Sequence, residues 1–342
     1  MRPQVRLFAM FAIAAACASA QGSLPVYSAG RPVSGTIRIW GHGAWGRDFM
    51  DSLVEEWESG FRVHHPEVRF ETSLRGTASA IGALYAGVGD LALMGREIRP
   101  FEIEAFRQVL HYDPVGLDVV NGSFDLRNKD FALGVFVNRD NPISKLSMAQ
   151  LDAIFGCEHK RGAKNIRAWG ELGLGGEWAD RPIQVYGYQI WRGFADFFQD
   201  AVLAGSHKWN PGMQEVPAAK NPDGTEKDDG QAMLENLGKD RYGIVYCGMF
   251  YHHPMAKALA LGVGDEGPWY EPTKENCITR KYPLARVIVG FINRPPGTAV
   301  APALKEFMRY ILSREGQASV LRQGDYLPLS AATAQEQLRK LE

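Results

Sequence analysis

Several things are scarce in this sequence, and each absence excludes something. The apolar run Leu7 to Ala16 is too short to span a bilayer. Cysteine occurs four times in 342 residues, so a disulfide-dense scaffold is excluded. No two cysteines have CxxC spacing, which removes the paired-cysteine zinc and redox motifs. Neither sign of charge dominates: Lys plus Arg is 38 and Asp plus Glu is 39, for a net charge of −1. No basic field is therefore available to hold a nucleic-acid backbone by counterion release, and no block of like charges marks a tail. HExxH, GxSxG and P-loop signatures are missing, and no spacing pairs any two carboxylates for catalysis. No internal repeat is visible. What is present is ordinary: 45% hydrophobic and 23% charged residues, a composition that excludes a disordered or collagenous chain. The length suggests roughly two domains, with enough chain to bury a core without staples.

The N-terminus reads as a secretory signal peptide over residues 1–20. Arg2 and Arg6 supply the positive region, Leu7 to Ala16 the apolar one, and Ala18-Ser19-Ala20 the cleavage site. The mature protein is then periplasmic or secreted and starts near Gln21. Lipid anchoring at Cys17 is the weaker alternative, because Ala14 sits where a larger aliphatic residue is usual. Cys157, Cys247 and Cys277 remain, enough for at most one disulfide of open pairing. The adjacent pairs His64-His65 and His252-His253 read as solvated loop histidines, since neighbours on a strand point to opposite faces and make no ready chelate. No metal site and no cofactor are implied.

From residue 36 onward, strand and helix patterns alternate. Thr36 to Trp40 reads as a strand. Asp48 to Phe61 carries apolar residues at Phe49, Met50, Leu53, Val54, Trp57 and Phe61, which is helical spacing. Val68 to Thr72 and Asp90 to Met94 are further strands, each followed by a small-residue turn. Phe131 to Val137 is a strand, and Ser147 with Gln150 forms a capping box for a helix to Phe155. Strands at 183–186, 242–247 and 284–291 and helices at 191–203, 301–312 and 314–322 complete the pattern, with residues 218–230 as an exposed loop. This β-turn-α order predicts an α/β fold with mostly parallel sheets, whose strand-end turns gather on one edge, where ligands bind.

The first turn, Gly41-His42-Gly43-Ala44-Trp45-Gly46, spells GxGxxG between a strand and a helix, and Glu71 follows at dinucleotide spacing. Export and the bulky Trp45 argue against a nicotinamide cofactor there. The physical content survives: a glycine turn at a helix N-terminus offers unpaired N–H groups and suits an anion.

A set of segments in order along the chain resembles the periplasmic phosphate-binding proteins of ABC transporters. Phe136-Val137-Asn138-Arg139-Asp140-Asn141-Pro142 with Leu146 to Phe155 is the first. Ile166 to Trp169 with Pro182 to Tyr186, Tyr242 to Tyr246, and Tyr282-Pro283-Leu284-Ala285-Arg286 follow. Ser313 to Gln317 and Gly324 to Leu329 close the series. The resemblance implies the two-lobe periplasmic binding protein fold, with a ligand cleft between lobes that close by hinge motion. Lobe one is expected at 34–112 plus 258–338, and lobe two at 113–257. It also implies a non-catalytic, monomeric receptor for a phosphate-like anion, serving the membrane subunits of an ABC transporter or a sensor, and binding no nucleic acid.

The resemblance carries ligand contacts onto four turns, with departures. The family hydroxyl of the first turn falls near Trp45, leaving the backbone of Ala44 and Gly46. In the second turn Thr77 keeps a hydroxyl, beside Ala78. In the third, an Asp or Ser position falls on Gly95, with Arg96 next to it. In the fourth, the family Arg and Asp fall on Gly187 and Gln189, and Ser-Gly-Thr is replaced by Trp191-Arg192-Gly193. A closed phosphate site needs several donors, and Arg192 is the best side chain left for the purpose. Tyr188 and Trp191 read either as packing or as a lining. The losses also motivate an alternative: a receptor-like scaffold that no longer binds phosphate and recognises an organic ligand or protein partner through an aromatic cleft.

Overall fold

The computed structural model describes residues 24–43, 48–126, 129–217, 219–220, 224 and 226–342. The expected signal peptide and its cleavage site lie outside these residues. The chain divides into two compact units. The first comprises residues 1–123, 128–130 and 286–342, and the second residues 124–127 and 131–285.

The first unit is built on a five-stranded sheet in the order Val68–Ser73, Gly35–Gly41, Leu91–Met94, Val287–Ile292, Val115–Asn121. Four strands run one way, and Val287–Ile292 runs against both its neighbours. That strand opens the segment that returns from the other unit. It is reached by no helical crossover from this sheet, so the right-handed βαβ rule does not constrain its direction. Leu91–Met94 is buried at every position, and its residues alternate between two cores. Leu91 and Leu93, with Ile37 and Ile39, belong to a core with Leu53, Trp57 and Phe61 of the helix Asp51–Arg62 and Phe307 and Met308 of the helix Pro302–Ile311. Ala92 and Met94 pack in a second core with Ala80, Ile81, Leu84 and Phe106. Helices thus cover both faces of the sheet.

The second unit repeats the plan in the order Ala256–Ala258, Leu133–Asn138, Gly243–Gly248, Gln184–Tyr188, Gln214–Val216. Here too one strand, Leu133–Asn138, runs antiparallel to both neighbours while the rest share a direction. The Ser147 capping box forms as the sequence implies: Gln150 N–H donates to Ser147 Oγ at 3.1 Å, and Ser147 N–H donates to Gln150 Oε1 at 2.9 Å. The core is aromatic, with Phe198 stacked on Tyr246 at 3.9 Å between centroids.

The units do not follow the expected lobe boundaries. Residues 113–123 belong to the first unit, because Val115–Asn121 pairs along the whole length of Val287–Ile292. Residues 258–285 belong to the second, where Ala260–Gly262 pairs with Lys145–Ser147 and Leu133 N–H donates to the Leu284 carbonyl. The loop expected at 218–230 contains a two-stranded pairing of Ala219–Lys220 with Glu226–Lys227, and the helix Asp229–Lys239 starts within it. His65 is not solvated. It follows the end of the helix Asp51–Arg62, is 1% exposed, and lies 2.8 Å from the Tyr27 hydroxyl through Nε2. The three thiols of the described residues are all free, Cys157 at the surface and Cys247 and Cys277 buried.

Phe61 is fully buried and meets Tyr27, Phe70, Phe307 and Tyr310. Phe61→Ala should destabilise the protein by about 3–5 kcal/mol, the transfer and cavity cost of a large core side chain. A urea midpoint unchanged from wild type would show that this aromatic cluster is not a stabilising core.

Candidate functional site

The turns that follow three strands of the first unit converge. Gly41 ends the strand Gly35–Gly41 with φ of 127°, and a Cβ there would lie 2.1 Å from the Leu93 carbonyl oxygen, so only glycine lets the turns pack this closely. His42 N–H donates to the same Leu93 oxygen at 2.8 Å, and Gly76 N–H donates to the Gly41 carbonyl at 2.9 Å. These bonds bring together the first turn, the Gly76–Ser79 turn and the turn after Met94.

Of the residues expected from sequence, Thr77 and Gly95 meet here, and both touch a residue not expected, His42. The Thr77 hydroxyl lies 3.0 Å from His42 Nδ1, and Gly95 N–H approaches Thr77 Oγ1 at 3.5 Å. The other ring nitrogen, Nε2, abuts Asp130 Oδ2. Arg286 completes the group: its Nη2 donates to the Gly95 carbonyl at 2.6 Å and lies 3.7 Å from Asp130 Oδ1. His42, Asp130 and Arg286 are all buried. Burial pushes the Asp130 carboxyl up, but the His42 and Arg286 charges outweigh it and hold the group below the usual carboxylate range. Gly95 has no room for a side chain. A Cβ would sit 2.2 Å from His42 Cε1 and 2.5 Å from Asp130 Oδ2. The space a residue-95 carboxylate would need is filled by the His42–Asp130 pair.

The remaining expected residues fall elsewhere. Ala44, Trp45 and Gly46 lie outside the described residues. Ala78 is exposed on the Thr77–Ser79 turn. Arg96 is engaged by the chain itself: its two terminal nitrogens donate to the Glu102 carboxylate at 2.8 Å each, and Nη1 also donates to the Glu97 carbonyl. In the second unit the turn after Gln184–Tyr188 holds Gln189, Trp191, Arg192 and Gly193. Arg192 N–H donates to the Gln189 carbonyl at 2.9 Å, and Gly193 opens the helix Gly193–Ala201. Arg192 donates through Nε and Nη2 to Asp229 Oδ2, at 3.1 and 2.7 Å, and its guanidinium lies 5.5 Å from the centroid of the Trp191 ring. Tyr188 is fully buried, which makes it core packing, whereas Trp191 is 67% exposed and packs in no core. Among the described residues, no group of three or more His, Cys, Asp or Glu could hold a metal ion, and no helix is long and apolar enough to cross a membrane.

His42, Asp130 and Arg286 escaped sequence reasoning for an identifiable reason. His42 stood inside the glycine turn and Arg286 ended the Tyr-Pro-Leu segment, so both were in view. Their separation from Asp130 in the chain gave no sign that they meet.

Two sheets flanked by helices, with turns that converge at the strand ends of the first unit, make an α/β protein. The chain matches the PBP superfamily domain over residues 28–315 and belongs to that superfamily. It is 29% identical to the phosphate-binding protein PstS of Pseudomonas aeruginosa, over 96% of this chain and 94% of that protein. It is 26% identical to protein SphX of Synechococcus elongatus, over 82% of this chain and 74% of the relative. Among solved structures, PstS from Borrelia burgdorferi superposes with a TM-score of 0.58 at 16% identity, covering 87% of this chain and all of that one (100%). An ABC-type phosphate transport receptor from Vibrio cholerae gives 0.51 at 18% identity, covering 85% and 99%. These structural likenesses establish the fold.

Two outcomes follow from the buried group. Gly95→Ala should destabilise the protein by about 1–3 kcal/mol through overpacking, read as a lower urea midpoint; a neutral substitution would mean the pair can move aside freely. The lowered Asp130 carboxyl contributes stability that is complete above the ordinary aspartate value of about 3.9 and is lost as pH falls through its folded value. Wild type should therefore lose stability more steeply than Asp130→Asn below about pH 4. Parallel acid limbs would show that His42 and Arg286 do not favour the ionised carboxylate.

Proposed function

We propose that this chain is an exported, non-catalytic, monomeric receptor that binds phosphate or a similar oxyanion and delivers it to the membrane subunits of an ABC transporter, or reports it to a sensor. The observation that carries this reading is the likeness, over nearly the whole chain, to a relative named as a phosphate-binding protein. The geometry supports it with the half-buried Thr77 hydroxyl, set among converging turns next to a buried Asp–His–Arg group. The backbone N–H groups of Ala44, Gly46 and Ala78 are assigned as further donors, as is the turn of Gln189, Trp191 and Gly193. Arg192 uses Nε and Nη2 on Asp229, and we assign its Nη1 to an anion oxygen. The pair keeps the guanidinium in place at the helix N-terminus.

A second reading is favoured by one observation. Trp191 is exposed beside an arginine that Asp229 already neutralises. A receptor-like scaffold that has lost phosphate binding would present such an aromatic surface to an organic ligand or a protein partner.

Calorimetry and tryptophan fluorescence on the dialysed mature protein separate the two. Under the first reading phosphate binds saturably at micromolar concentration or tighter. Thr77→Ala and Arg192→Ala each weaken it about tenfold, the worth of one hydrogen bond to a charged group. Silence at millimolar phosphate rejects the first reading, and organic ligands whose binding requires Trp191 then become the subject.

A further inference from the structure

We propose that residues 24–33 form a strap held against the first unit by neutral His65, and that protonation of His65 releases it. The strap runs straight into Gly35–Gly41, and His65 precedes Val68–Ser73. The device therefore lies at the strand ends opposite the converging turns.

The strap has neither helix nor strand, and Ser28 to Pro32 are exposed. Three points tie it down. Arg314 N–H donates to the Pro25 carbonyl at 2.9 Å. Tyr27 N–H donates to Glu315 Oε2 at 2.6 Å, and the Tyr27 ring is buried edge-on to Tyr310. Val33 N–H donates to His65 Nδ1 at 3.3 Å.

The hydrogen bonds through His65 run in one direction, because both ends are fixed. A backbone N–H can only donate, so Nδ1 accepts, and a neutral ring carries its hydrogen on Nε2. Nε2 lies 2.8 Å from the Tyr27 hydroxyl, which donates in turn to Glu306 Oε2 at 3.1 Å. As a carboxylate, Glu306 only accepts, and Arg309 Nη1 holds its other oxygen at 2.5 Å. A second proton on the ring can enter only at Nδ1, where it meets the Val33 N–H donor to donor. Both of the strap's bonds through His65 belong to the neutral ring.

The surroundings favour that neutral form. The ring is 1% exposed, and Phe61 stands 4.7 Å away, centroid to centroid. Burial is the largest influence and pushes the His65 ring below the ordinary histidine value. Glu306, from the helix Pro302–Ile311, favours the cation, but its oxygens are already engaged by Tyr27 and Arg309. His64, next in the chain, opposes the cation. Glu315 is spent on the Tyr27 N–H, and Arg62 pairs with Glu58. Burial and Glu306 push the Tyr27 hydroxyl well above its ordinary value, so it stays protonated throughout. The sign follows. Docking is at full strength above the ordinary histidine value of about 6.5 and weakens as pH falls below it, towards the lower value of the docked ring. Release uncovers Phe61 and Tyr310 and frees the segment that leads into Gly35–Gly41.

One NMR titration of the mature protein reads the His65 ring and the Val33 amide together. The ring should titrate below about pH 6.5. Exchange protection of the Val33 amide should fall over the same range, by about tenfold for each unit between the ring value and 6.5. The amides of Leu91–Met94 should keep theirs. His65→Gln retains a donor and an acceptor but takes up no proton, so its Val33 protection should stay flat. A Val33 amide that ignores the ring titration overturns the proposal. So does a ring that titrates at or above the ordinary value, or one that stays neutral until the whole protein unfolds. A loss of protection in His65→Gln equal to that of wild type would assign the release to the neighbouring carboxylates instead. If that variant does not fold, the wild-type curves decide by themselves. No phosphate enters either measurement, so the outcome is separate from that of the receptor reading.

Discussion

A buried carboxylate needs a cation, and the first unit is arranged around that need. Removing an ion from water costs several kcal/mol even after the protein relaxes, and the cost is recovered only with good geometry and extra hydrogen bonds. Asp130 meets the requirement with His42 at the end of the strand Gly35–Gly41 and Arg286 just before the strand Val287–Ile292. Arg286 also holds the Gly95 carbonyl, which ties the turn after Leu91–Met94 to the same charge. Three turns and the start of a returning strand are thereby locked to one another. The glycine at 95 follows as a steric consequence, since a Cβ would strike both the ring and the carboxylate.

This arrangement changes the meaning of the departures from the phosphate-binding pattern. Read along the chain, glycine at 95 is a lost polar side chain. Read in space, its place is taken by an acid from residue 130 and an imidazole from residue 42. In the second unit Arg192 pairs with Asp229, on the helix Asp229–Lys239. Positive charges at 96 and 286 are likewise given carboxylate or carbonyl partners by the chain, so they brace turns as well as adding field.

Much of the architecture was legible in the sequence because it follows from short-range rules. Period-2 and period-3.6 patterns located Gly35–Gly41, Asp51–Arg62, Leu91–Met94 and Met148–Phe155 to within a few residues. The lobe boundaries were not legible. Val115–Asn121 carries no strong alternation, and the unit it joins is decided by its pairing with Val287–Ile292, more than 160 residues away. His65 illustrates the same limit. It stands between His64 and Pro66 in the chain, and the packing of Tyr27 and Phe61 around it at the end of the helix Asp51–Arg62 buries it.

By itself the sequence determined the α/β class and the alternation of strands and helices that leaves turns at strand ends. Hydrophobic period, turn chemistry and net charge are local or additive, and they can be read from a string. The tertiary structure alone decided which side chains share those turns. It put His42 between Thr77 and Asp130, bound Arg96 to Glu102, and turned Trp191 outward while burying Tyr188. Desolvation, charge pairing and hydrogen-bond direction depend on distances of a few ångströms between residues remote in the chain, and spacing along the sequence does not encode them.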